Sequence, residues 1–167
     1  IAAARLKHKV IMTPTDYCYF DYYQSQNATE PLGIGGDLPL SKVYSYEPIP
    51  DTLNEEERKY ILGAQGNVWT EYMKTPEHVE YMVLPRMQAM AEINWTNKES
   101  KNYDDFLSRL KQHFAWWKKL GYNFADKTND LQSKVLAGDG NGVKLQLKTN
   151  GSDANILYSF DKPLDAS

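Results

Sequence analysis

From Ser25 to Pro50 the chain offers no helical period, and Gly33, Gly35, Gly36, Pro39, Pro48 and Pro50 interrupt every candidate element. Glycine and proline set turn geometry and break regular ladders, so this stretch is predicted to be one long ordered loop. Loops of that length inside a compact domain usually carry function. Before it, Val10-Ile11-Met12 is a short, partly β-branched run closed by Thr13-Pro14-Thr15, the pattern of a buried strand entering a polar loop. After it, Ile61 to Trp69 reads as a second strand, in which Gly63 and Gly66 signal close approach of a neighbour or ligand to the backbone.

Between the loop and the second strand, Thr52 to Lys59 is an acidic helix start, with Asp51 or Thr52 as its cap. Thr75-Pro76-Glu77 opens a helix predicted to reach about Ile93, with Val79, Met82, Val83, Arg86, Met90 and Ile93 on one face and a kink at Pro85. A further helix is predicted from Tyr103 to Leu120. Phe106, Leu110, Phe114, Trp117 and Leu120 recur at helical spacing there, and Gly121 sits where a left-handed cap belongs.

Residues 126–139 read as a linker separating residues 1–125 from a β segment over 140–167. In that segment Val143, Leu145 and Leu147 alternate with polar residues. Ile156, Tyr158 and Phe160 follow around Asn150-Gly151-Ser152-Asp153, which is a hairpin pattern. Two strands alone are marginal in water, so they pack on the helices or belong to a truncated sheet.

A chain of 167 residues can bury a core, and 41% hydrophobic with 25% charged residues is an ordinary globular balance. A net charge of −3 gives no broad attraction to phosphate backbones, so nucleic acid is not an expected partner. No apolar run approaches the roughly 18–20 residues that span a bilayer. The single Cys18 rules out an internal disulfide, and His8, His78 and His113 lack ligand spacing, so neither metal nor cofactor is expected. The opening Ile1-Ala2-Ala3-Ala4-Arg5 carries no targeting segment and reads as a cut within a longer protein.

Two clusters could carry chemistry: Tyr19-Phe20-Asp21 after the first strand and Trp69-Thr70-Glu71 after the second. In extended backbone, residues two apart share a side, which would project Tyr19 with Asp21 and Trp69 with Glu71. An aromatic face beside a carboxylate suits a sugar, since the ring covers C–H groups while the acid accepts hydrogen bonds from the hydroxyls. The same spacing also fits a core aromatic beside a solvated acid. Spacing alone leaves both open.

The run from Val10 to Tyr22 (VIMTPTDYCYFDY), then Lys42-Val43-Tyr44 with Glu47-Pro48-Ile49-Pro50, then Ile61 to Tyr72 (ILGAQGNVWTEY), then Leu84-Pro85-Arg86-Met87 with Ala91-Glu92 and Trp95, resembles the end of the catalytic barrel of family 20 glycoside hydrolases, the β-N-acetylhexosaminidases. The likeness covers residues 8 to 122, and order and spacing agree throughout. It implies an α/β chain: the C-terminal portion of a TIM (β/α)8 barrel, its seventh and eighth strands with their helices, while the tail from Gly142 to Ser167 more loosely resembles, through Asn155 to Asp161, the start of a following β-sandwich, here a short hairpin segment of a truncated one.

The resemblance also implies roles. Hydrolysis in that family is substrate-assisted, with the 2-acetamido oxygen attacking the anomeric carbon. Tyr19 resembles the tyrosine that orients this oxygen. Asp21 and Glu71 resemble the acids that accept the sugar's outer hydroxyls, and Trp69 resembles a wall around the acetamido group. The family's adjacent Asp-Glu pair, carrying the general acid/base, has no match here. The resemblance thus implies a fragment that is inactive alone, needs the remainder of its parent chain, and belongs to a periplasmic or extracellular enzyme acting on glycans that end in N-acetylhexosamine. The alternative is a non-catalytic carbohydrate-binding or interaction module using the same aromatics.

Overall fold

The computed structural model describes residues 1–126, 131–138, 142–149 and 155–159, in two units, Ile1–Asp126 and Lys127–Ser167. The first unit runs α1 (Ala2–Arg5), β1 (Val10–Met12), α2 (Thr15–Cys18), α3 (Leu40–Ser45), α4 (Glu55–Arg58), β2 (Ile61–Ala64), α5 (Pro76–Val83), α6 (Arg86–Trp95) and α7 (Tyr103–Leu120). Strands β1 and β2 pair in parallel, Val10 opposite Ile61, Ile11 opposite Gly63 and Met12 opposite Ala64. Leu62 is the extra residue of a bulge, and Gly63 beside it takes a φ of 135°, a conformation side chains rarely adopt.

Strand β2 stops at Ala64 and does not run on to Trp69 as the sequence suggests. The Asn94 side chain takes over at that point, accepting from the Ala64 N–H at 2.7 Å and donating to the Ala64 carbonyl at 3.0 Å. Pairing returns once, as an isolated parallel bridge between Tyr19 and Asn67.

The expected loop over residues 25–50 contains helix α3. Leu40, Val43 and Tyr44, at helical spacing, are all buried, but three apolar positions between prolines are too short a signal for a period. Helix α4 is capped by Asn54, not by Asp51 or Thr52. The Asn54 side chain accepts from the Glu57 N–H and the Glu57 carboxylate accepts from the Asn54 N–H, closing a capping box. The single kinked helix expected from Thr75 to Ile93 is two helices, because Pro85 has no N–H to donate and Leu84 before it is extended, with ψ 130°.

Helix α7 has the expected bounds, with Asn102 accepting from the Asp105 N–H and Gly121 in the left-handed conformation at φ 77°. Its buried face is Phe106, Leu107, Leu110 and Trp117; Leu120, expected on that face, is exposed. These side chains form one core with Cys18, Phe20 and Leu38, with Leu40 and Val43 of α3, and with Ala89, Met90 and Ile93 of α6. Complete burial of a residue such as Leu110 or Val43 contributes about 1.5–3 kcal/mol. Ala4, Leu53 and Ile61 make a smaller cluster against the start of β2. By contrast Ile11 and Leu62, 54% and 60% exposed, leave apolar surface of the sheet open among the described residues.

In the second unit β3 (Leu131–Ala137) pairs antiparallel with β4 (Val143–Thr149), from Leu131 opposite Thr149 to Ala137 opposite Val143. The stretch expected to be a linker over 126–139 therefore supplies a strand, and β4 has β3 as its partner. Leu136 interrupts the apolar alternation of Leu131 and Val135, which hid the strand in the sequence. The expected second hairpin strand has no strand structure over 155–159, while its turn at Asn150 to Asp153 and Phe160 lie outside the described residues.

Candidate functional site

Parallel pairing puts the C-terminal ends of β1 and β2 at one edge, and the chain leaving each strand carries one of the aromatic-acid clusters. The two exits are tied together. The Asn67 N–H donates to the Cys18 carbonyl at 2.7 Å, and the Phe20 N–H donates to the Asn67 carbonyl at 2.8 Å. Across that junction the Tyr19 and Trp69 rings lie 6.4 Å apart between centroids, inclined at 48°, and the Tyr22 ring lies 6.1 Å from that of Tyr19. Glu71 lies close enough to Asp21 for its charge to push the Asp21 pKa upward. All four sequence-predicted residues, Tyr19, Asp21, Trp69 and Glu71, thus meet at one strand-end edge.

The reason they meet differs from the one the spacing suggests. Tyr19 to Tyr22 is a turn, closed by the Tyr22 N–H donating to the Tyr19 carbonyl at 3.3 Å, so Tyr19 and Asp21 are not successive same-side residues of a strand. After Trp69 the chain bends likewise, with the Met73 N–H donating to the Thr70 carbonyl. Two glycines let the pieces approach. A Cβ on Gly66 would stand 2.7 Å from the Phe20 ring, and one on Gly33 would stand 2.8 Å from the Asp21 carbonyl. Neither distance is tolerable for a real side chain, so both loops are held by the absence of one.

Asp21 is 4% exposed, and its Oδ1 has no hydrogen-bond partner among the described residues. Burial raises its pKa above the usual carboxylate value. A bond from its own backbone N–H and the charge of Arg86 oppose the rise, and Glu71 adds to it. A buried carboxylate oxygen without a donor costs free energy. Trp69, by contrast, is 56% exposed.

Beneath the turn lies Arg86, at 0% exposure. Its Nη1 donates to the carbonyls of Tyr22 at 2.9 Å and Leu38 at 3.1 Å, Nη2 donates to those of Phe20 and Met82, and Nε donates to Met82 at 3.0 Å. The guanidinium also stands 5.1 Å from the centre of the Phe20 ring. Burying a cation costs several kcal/mol; hydrogen bonds from a charged donor at about 1.5–3 kcal/mol each offset that. Burial still lowers its pKa to about 9, against the upward pull of Glu30, Asp21 and Tyr81. The sequence marks Arg86 as one residue of an apolar helix face; a basic residue at a core position is the signal from which its tethering role could have been read.

Elsewhere, Cys18 is buried, with its thiol pushed up to about 11 by desolvation, and it acts as a small apolar core residue. Among the described residues no three His, Cys, Asp or Glu side chains gather to hold a metal ion, and no helix is long and apolar enough to cross a membrane. A hollow lined by Glu47, Ile49, Arg58, Ile61, Leu62 and Trp95 opens at the start of β2 and contains none of the four strand-end residues.

The sequence model of the glycosyl hydrolase family 20 catalytic domain matches residues 1–98. The chain belongs to glycosyl hydrolase family 20. It is 46% identical over 111 residues to a β-hexosaminidase of Porphyromonas gingivalis, which covers 66% of this chain and 14% of that protein. It is 33% identical over 129 residues to a β-N-acetylhexosaminidase of Cellulomonas fimi, covering 74% and 25%. Among solved structures, the family 20 exo-β-N-acetylglucosaminidase of Vibrio harveyi in complex with N-acetylglucosamine aligns with a TM-score of 0.68 and 35% identity, over 75% of this chain and 20% of that one. A mutant β-hexosaminidase of Streptomyces plicatus in complex with the product N-acetylglucosamine aligns with a TM-score of 0.66 and 25% identity, over 75% and 25%. The chain shares the α/β fold of these TIM-barrel hydrolases, and it spans between 14% and 25% of their lengths.

Proposed function

We propose that this family 20 chain is the C-terminal part of the catalytic barrel of a β-N-acetylhexosaminidase, with β1 and β2 as its seventh and eighth strands. The approach of Tyr19 to Trp69, 6.4 Å apart, at the strand-end edge where Glu71 also acts on Asp21, carries this reading. It is the arrangement an N-acetylated pyranose needs, at the strand ends where barrel enzymes place their sites. The open apolar surface at Ile11 and Leu62 supports a sheet that continues into further strands.

In this reading the Tyr19 hydroxyl donates to the substrate's acetamido carbonyl oxygen and aims it at the anomeric carbon. Trp69 packs against the acetamido methyl and keeps water from that face. Asp21 and Glu71 accept hydrogen bonds from the sugar's outer hydroxyls, giving Asp21 Oδ1 the donor it lacks. These residues position; they do not move the leaving-group proton. Attack by the acetamido oxygen forms the new C–O bond as the glycosidic bond breaks, and the acid that protonates the departing oxygen comes from an Asp-Glu pair elsewhere in the parent enzyme. Alignment of this kind is worth orders of magnitude in rate.

The test is hydrolysis of a chromogenic N-acetylglucosaminide by the 167-residue chain and by the full-length enzyme. The expected result is turnover by the full-length enzyme alone. Turnover by the chain alone would overturn the reading, and tight binding of N-acetylglucosamine by the chain alone would point to a binding module, since a partial site lacks most of its walls.

A further inference from the structure

We propose that Arg86 is a positioning residue for the sugar site, fixing the turn on which Tyr19 and Asp21 stand. The proposal rests on the reading of that site given above. Arg86 holds the carbonyls of Phe20 and Tyr22, the residues on either side of Asp21. The Phe20 carbonyl lies in the peptide plane that enters Asp21, and the Asp21 carbonyl in the plane that leaves it accepts from the Ile34 N–H at 3.2 Å, so with the Tyr22 carbonyl held one residue on, the backbone that aims the Asp21 side chain cannot rotate freely. The Phe20 N–H is tied at the same time to the Asn67 carbonyl, so the guanidinium also holds the junction between the two strand exits, where Tyr19 faces Trp69.

Leu38 is the third anchor. Its carbonyl accepts from Nη1, while its own N–H donates to Tyr23, so the glycine-rich loop is fastened to the same turn. Lysine could not replace this. An ammonium offers three donors on a flexible stem, whereas the planar guanidinium offers five in fixed directions, and here they reach four separate carbonyls. The charged or titratable groups acting on Arg86 are Glu30, Asp21 and Tyr81. None of them removes it from the carbonyls, which take its donors.

The test uses kinetics of the full-length enzyme on a chromogenic N-acetylglucosaminide. Arg86→Lys keeps the cation and loses the fork. It is expected to lower kcat/KM by about ten- to a hundredfold, chiefly through kcat, as misalignment of a reacting group does. Combined with Tyr19→Phe, it is expected to cost clearly less than the product of the two single losses, the remainder being the part exerted through Asp21, because residues acting as a unit are not additive.

Near-wild-type kcat/KM for a folded Arg86→Lys enzyme, or a full multiplicative loss in the double variant, would overturn the proposal. If Arg86→Lys does not fold, Phe20→Leu, which removes the ring beneath the guanidinium, is put through the same cycle with Tyr19→Phe. Coupling there supports the proposal and additivity overturns it. A Tyr19→Phe enzyme with unchanged kcat would overturn the sugar-site reading and this inference together; a damaging Tyr19→Phe with an additive Arg86→Lys would overturn this inference alone.

Discussion

Gly66 lies so close to Phe20 that an added methyl group would meet the ring at 2.7 Å. That contact is where the segment leaving β2 is pressed against the turn that follows β1, and the two aromatic-acid clusters come together because of it. The junction is backbone packed on a ring, which leaves little slack for a larger residue.

Gly66→Ala is therefore expected to spread the two strand exits and separate Tyr19 from Trp69. In the full-length enzyme this should lower kcat/KM by about ten- to a hundredfold, the cost of misplacing reacting groups by about an ångström, with circular dichroism unchanged. Steady-state kinetics at constant protein fold check it, and an unchanged kcat/KM would show that the junction does not position the site.

Asp21 sets function against stability. An ordinary aspartate has a pKa of about 3.9, and burial raises that of Asp21. Between the ordinary and the raised value the folded protein keeps a proton that the unfolded chain has released, so stability falls as pH rises through this window and stays lower above it. Asp21→Asn removes that penalty. A urea midpoint higher than wild type at pH 7, converging with wild type at acid pH, is the expected outcome, accompanied by a raised KM from the lost acceptor.

Asn94 fastens the end of β2 through two hydrogen bonds to Ala64. At about 0.5–1.5 kcal/mol per bond, Asn94→Ala is expected to destabilise the fold by about 1–3 kcal/mol, read from chemical denaturation. A serine, which cannot reach both backbone groups at once, should not restore the loss.

Leu110 of α7 is 1% exposed in the core shared with α3 and α6. Leu110→Ala is expected to cost about 2–5 kcal/mol while leaving KM of the folded enzyme unchanged, because this residue lies among the core side chains and not at the strand ends.

Long, regular signals were legible in the sequence and short or tertiary ones were not. Helix α7 could be read to its ends because Phe106, Leu110 and Trp117 keep the helical period over 18 residues and Gly121 closes it. Helix α3 could not, since Leu40, Val43 and Tyr44 make only one turn and are helical because the core covers them. Strand β3 was hidden by Leu136 breaking its alternation.

Aromatic-acid spacing and family likeness single out Tyr19, Asp21, Trp69 and Glu71 as candidates, yet the geometry beside Tyr19 is a turn closed from Tyr22 to Tyr19, not extended backbone. Arg86 and Asn94 escaped because their partners are backbone atoms. Arg86 binds Phe20 and Tyr22 across 66 and 64 residues of chain, and Asn94 reaches back 30 residues to Ala64. For Asn94 the side-chain pattern carries no trace of such bonds, and for Arg86 the only trace is a basic residue on an apolar helix face.

Crystals of the full-length enzyme soaked with N-acetylglucosamine test the central claim most directly. The acetamido group should lie between Tyr19 and Trp69, its carbonyl oxygen within hydrogen-bonding reach of the Tyr19 hydroxyl, with the outer hydroxyls on Asp21 and Glu71. A sugar seated away from these four side chains, with Asp21 Oδ1 still lacking a donor, would contradict the account.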